Sequence, residues 1–172
     1  MLRLLTALGW MFAAEAIWAA ALIFAAIFVV PKPWLADTFL DPIYLSQSSQ
    51  VIQSSTNDMV AAFVAAGLTI FGVSVICCAI WHVCAAIVQI NGPGQAAKFW
   101  LLWLLVLIVG WLASLGASYY YVGLSRLVPN NAMYEFYGAA TILFLLSYYI
   151  GTAFSTTRKL RPAVPFARLL PA

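Results

Sequence analysis

Four residue types in this chain can do chemistry inside an apolar setting: Glu15, Ser74, Cys78 and His82. Glu15 is the lone charge in LLTALGWMFAAEAIWAAALIFAAIFVV, the stretch 4–30. A carboxylate in such a stretch is costly and marks a functional site by default. His82 is the chain's one histidine, and imidazole titrates near neutrality. Ser74, Cys78 and His82 recur every fourth residue, so a helix places them in one stripe. Glu15 and His82 sit at similar depths if the first two apolar stretches form antiparallel neighbouring helices. The expected cluster of Glu15, Ser74, Cys78 and His82 has two readings. It relays a proton, or it fixes helix register through mutual hydrogen bonds.

Metal and cofactor chemistry are not expected. Cys78 and His82 at i, i+4 provide two ligands and Glu15 a third, whereas closed zinc sites take four. A single histidine also falls short of the paired axial ligands of most b-type haems. Cys77, Cys78 and Cys84 share one apolar run, unlike the exposed cysteines of a disulfide framework. The chain carries no Gly-rich phosphate loop, Ser-x-x-Lys or His-Glu-x-x-His, and no basic patch interleaved with aromatics. No catalytic residue is expected, and nucleic acid is not an expected partner.

The elements that must position these residues are membrane spans. Hydrophobic residues make up 65% of the chain and charged residues 8%, with mean hydropathy +0.99. Soluble domains are about half apolar and a quarter charged. The 172 residues hold four apolar stretches, each near the roughly 20 residues a span requires. The expected fold is all-α: a polytopic four-transmembrane-helix bundle forming a single membrane domain. Its spans are about 4–30, 58–90, 97–122 and 132–157, with an outer loop at 31–57 and a basic tail at 158–172. The first stretch reads as an uncleaved signal anchor, because its apolar run exceeds that of a secretory leader.

Boundaries follow from breakers and caps. Pro31 and Pro33 end the first stretch. Asn57 and Asp58 are suited to cap the second, and Asn91-Gly92-Pro93-Gly94 stops it. Trp100 and Trp103 at one end of the third, with Tyr119, Tyr120 and Tyr121 at the other, read as aromatic belts. Trp34, Leu35, Phe39, Leu40, Ile43 and Tyr44 make the first half of the 31–57 loop amphipathic, as in a short interfacial helix. Mid-span phenols at Tyr148 and Tyr149 need partners across the bundle, or line a lipid or quinone groove.

Six of the eight basic residues, Arg3, Lys98, Arg158, Lys159, Arg161 and Arg168, fall on one side of this plan. Lys32 and Arg126 fall on the other. The positive-inside rule then puts both termini in the cytoplasm. Helix packing is expected through small residues at four-residue spacing. These are Gly110, Ser114 and Ser118 on the third span, Ser147, Gly151 and Ser155 on the fourth, and Ala61, Ala65 and Thr69 on the second. The tail residues Arg158, Lys159, Arg161 and Arg168 suit anionic lipid or a partner protein.

With no self-contained chemistry, the expected function is that of a non-catalytic integral subunit of a bacterial inner (plasma) membrane. It would assemble by helix packing with other membrane subunits or with itself, in secretion or conjugation machinery or in a respiratory or photosynthetic complex. The alternative is a small transporter or proton conductor using the Glu15–His82 pair.

Overall fold

The computed structural model of the protein describes residues 32–87, 95, 98–153, 156 and 161–165, with single positions at 9, 12, 13, 16, 17 and 20. The 4–30 stretch, Glu15, Ser155, Arg158, Lys159 and Arg168 lie outside the described residues, and so does the side chain of Arg161. The described chain is helical, with no strand among the described residues. Its elements are α1 (Lys32–Phe39), α2 (Pro42–Leu45), α3 (Ser49–Ile87), α4 (Trp100–Ser118), a π-helical turn (Tyr119–Gly123), α5 (Asn130–Ala153) and a 3₁₀ turn (Arg161–Ala163).

Three helical segments are long and apolar enough to cross a membrane: Ser49–Ile87, Trp100–Gly123 and Asn130–Ala153. The described bundle therefore has three such helices, each packed on the other two. α3 begins nine residues before the expected start at residue 58. Its 39 residues span about 58 Å, nearly twice the hydrocarbon thickness. The run 49–58 is polar and water-compatible, yet adding residues to an established helix is cheap once the nucleus exists. α5 starts at Asn130, with the Pro129 carbonyl accepting from the Ala132 and Met133 N–H groups. It closes before the expected residue 157, since Thr156 already lies in a bend.

The amphipathic stretch after Pro31 forms two short helices that pack on the bundle. α1 buries Leu35 and Ala36, and Leu40 follows, in a cluster with Met59, Ala66, Val122, Val128, Ala132 and Met133. Asp41 caps α2 by accepting from the Ile43 N–H at 2.9 Å, and its own N–H donates to the Leu127 carbonyl at 2.8 Å. These contacts fold α1 and α2 over the end of the bundle where α4 turns into α5. That turn holds Arg126 at φ 57°, a left-handed conformation unusual for a side chain with a Cβ. Ser125 braces it by donating to the Val122 carbonyl and accepting from the Leu127 N–H.

The π-helical turn closes with the Leu124 N–H donating to the Tyr119 carbonyl. It widens the helix at the Tyr119-Tyr120-Tyr121 run. A Cβ at Gly123 would stand 2.9 Å from Tyr119 Cδ2, so this turn needs the missing side chain.

Candidate functional site

The second cluster fills the opposite half of the bundle. Ile70, Cys77, Cys78 and Trp81 of α3 meet Trp103 and Val106 of α4 and Ala140, Phe144, Tyr148 and Ala153 of α5. α3 supplies bulk and α4 supplies room. A Cβ at Gly110 would lie 2.5 Å from Phe144 Cζ and 2.6 Å from Cys77 Sγ. A side chain at Gly110 would have to displace the Phe144 ring and the Cys77 thiol.

Ser74, Cys78 and His82 are all buried. Cys78 Sγ points to the Tyr148 carbonyl at 3.8 Å, and His82 Nε2 lies 3.4 Å from the Gly151 carbonyl. With its proton on Nε2, the imidazole donates to that carbonyl. Cys78 and His82 thus face α5 together, two turns of one stripe reading two carbonyls of the neighbouring helix. Glu15, the fourth member of the expected cluster, lies outside the described residues. Among the described residues no group of three His, Cys, Asp or Glu side chains is placed to hold a metal ion. The three cysteines are free thiols.

Around this stripe runs a set of indole–hydroxyl bonds that spacing alone did not reveal. Trp81 Nε1 donates to Thr156 Oγ1, Trp103 Nε1 to Thr152 Oγ1 and Trp111 Nε1 to Thr141 Oγ1, each at 3.0 Å. Tyr148 Oη donates to the Trp103 carbonyl at 3.1 Å. Thr152 in turn donates to the Tyr148 carbonyl at 2.8 Å, and Thr156 donates to the Thr152 carbonyl. The Trp103 and Tyr148 rings sit 5.3 Å apart, and Tyr148 stacks on Phe144 at 5.9 Å. Trp103 is therefore a buried interhelix donor, not a member of the aromatic belt. Trp100, Tyr119 and Tyr120 keep the exposed positions expected of belt residues. The available signal was an indole N–H in an apolar run, which needs an acceptor when buried.

The small residues behave differently from one another. Gly110, Ser114, Ser118, Ser147 and Gly151 are buried. Ser114 and Ser118 donate back to the Gly110 and Ser114 carbonyls of their own helix, at 2.8 and 2.9 Å. They contribute small volume to the contact, with those hydroxyls turned along the helix. The stripe Ala61, Ala65 and Thr69 is not the face of α3 buried among the described helices. Met59, Ala66, Ile70, Ser74 and Cys77 take that place. At one point of this face Cys77 fills the space over Gly110.

The segment after α5 turns back onto the bundle. Ala163 and Val164 are buried in the second cluster, and Tyr149 Oη donates to the Pro165 carbonyl at 3.0 Å. So 161–165, part of the expected basic tail, forms a plug at this end of the bundle.

Two surface features lie beside the described helices. A shallow apolar groove of about 510 Å³ runs between α4 and α5, bordered by Trp111, Leu115, Gly116, Tyr119, Tyr137, Gly138 and Thr141. A Cβ at Gly116 or Gly138 would meet nothing within 4 Å. A more polar cleft of about 410 Å³ lies between α1 and α3, lined by Lys32, Asp37, Ser49, Gln53, Thr56 and Asn57 among others.

Fold and site together describe a helical protein with three segments suited to a membrane and a polar interior given over to helix–helix bonds. No known protein family matches the chain, and no characterised protein or solved structure is significantly similar to it.

Proposed function

We propose that the chain is a non-catalytic integral subunit of a larger complex in a bacterial inner membrane, joined to its neighbours by helix packing. The observation that carries this reading is how the interior polar groups are used. Trp81, Trp103, Trp111, Cys78, His82 and Tyr148 each engage a specific atom on another segment of the bundle. Such bonds fasten helices where lipid provides no hydrophobic drive for association. Among the described residues these bonds join different pairs of segments.

The groove beside Gly116 and Gly138 supports the same reading. Small residues on both walls let a further helix approach closely, whether from another subunit or a second copy. In this arrangement the end bearing α1 and α2 faces outward, away from the cytoplasm, and the end bearing the 161–165 plug faces the cytoplasm.

The test is extraction of the native membrane in mild detergent, followed by particle sizing and mass spectrometry of co-purifying chains. A particle with defined partners, released by Gly116→Leu while the chain itself stays folded, is the expected result. A lone monomer would overturn the proposal. Proton flux through the purified chain would establish the alternative, a small conductor built on Glu15 and His82.

A further inference from the structure

The cleft between α1 and α3 sits where the chain passes from water to lipid. On α3 the polar run ends at Asp58 and the apolar run begins at Met59. Thr56 and Asn57 line the cleft within one turn of that boundary, and Ser49 and Gln53 line it further out. The headgroup zone of one leaflet is about 5–7 Å thick, so the deep end of the cleft lies at headgroup level. Any phospholipid in that leaflet brings its headgroup to this depth.

The lining carries one charge of each sign. Lys32 Nζ donates one hydrogen bond to Asn57 Oδ1 at 3.0 Å, which leaves two N–H donors. Asp37, five residues on and about 7.5 Å along α1, also lines the cleft. Among the described residues no hydrogen bond or ion pair engages its carboxylate. A lone phosphate would match Lys32 and be repelled by Asp37. A group with a phosphate at one end and an N–H-bearing ammonium at the other satisfies both. The volume of about 410 Å³ lies in the range of small-ligand sites.

We propose that this cleft is a headgroup site for a phospholipid with a primary ammonium, a phosphatidylethanolamine-type lipid, with Lys32 on the phosphate and Asp37 on the ammonium. The inference requires the membrane placement of α3 and does not depend on the chain being a subunit of a complex.

The test uses the purified full chain in nanodiscs containing equal parts of phosphatidylethanolamine, phosphatidylcholine and phosphatidylglycerol. Retained lipid is counted by native mass spectrometry after release into detergent. Phosphatidylethanolamine should be retained over phosphatidylcholine, whose quaternary nitrogen offers Asp37 no N–H. Lys32→Gln and Asp37→Asn should each reduce that retention about threefold or more, the scale of an exposed charged contact. Glu135→Gln, exposed but outside the cleft lining, should leave it unchanged. Equal retention of all three lipids would overturn the proposal, and so would a preference for phosphatidylglycerol. Tight binding of free O-phosphoethanolamine without any lipid preference would assign the cleft to a soluble ligand and also overturn it. Circular dichroism of each variant separates lost binding from lost fold.

Discussion

The two ends of the bundle are held together by different forces. At the end bearing the 161–165 plug, contacts are directional: three indole–threonine bonds run along the bundle, and Tyr148, Cys78 and His82 read backbone carbonyls. At the end bearing α1 and α2, contacts are mostly apolar and aromatic, beside the Lys32–Asn57 and Asp41–Leu127 hydrogen bonds. Phe39 meets Trp34 and Phe63 edge-on, Phe63 stacks on Phe136 at 4.9 Å, and Leu35, Ala36 and Leu40 are buried over Met59 and Met133. The contrast follows from the solvent. Lipid is as apolar as leucine, so burial within it gives no hydrophobic gain and hydrogen bonds supply specificity. Where α1 and α2 meet water at that end, apolar burial becomes a driving force. On the proposed membrane placement, the α1–α2 cap is held as a soluble domain is held, and the three long helices as a membrane bundle.

Substitutions can break or sharpen this contrast. The largest effect is expected at Gly110, where Gly110→Leu drives a side chain into Phe144 and Cys77. It should cost about 3 kcal/mol or more and abolish the packed bundle, read as loss of the cooperative transition on detergent denaturation. Next is Leu40→Ala in the cap, expected to cost about 2–4 kcal/mol. Because water drives that burial, sulfate should recover part of the loss. Smaller again is Thr152→Val, which leaves the Trp103 indole without its acceptor. A double-mutant cycle with Trp103→Phe should return a coupling of about 0.6–1.7 kcal/mol, and sulfate should leave it unchanged. If Leu40→Ala and Thr152→Val respond alike to sulfate, the two-solvent account of the bundle fails.

The sequence made much of this plain. The second, third and fourth apolar stretches coincide with the three membrane-length helices, because composition over twenty residues reports the solvent directly. What stayed hidden depends on contacts distant in sequence. Trp103 and Thr152 are 49 residues apart, and nothing in their local spacing distinguishes a buried indole from one at the membrane surface. The helical character of Ser49–Asn57 was hidden for a related reason. A Ser/Gln-rich run resembles a loop until an adjoining span nucleates it and α1 packs alongside. In the candidate site, the stripe of Ser74, Cys78 and His82 was legible from four-residue spacing. The carbonyls that Cys78 and His82 face were not, since backbone acceptors leave no mark in a sequence.

We propose that the polar groups of the spans hold helices together and do not move protons. Its most direct test is dissipation of an imposed pH gradient in liposomes carrying the purified chain. The account predicts a decay equal to that of protein-free liposomes, for the native chain and for His82→Gln and Glu15→Gln alike. A faster decay that either substitution abolishes, with the folded bundle intact, would contradict it.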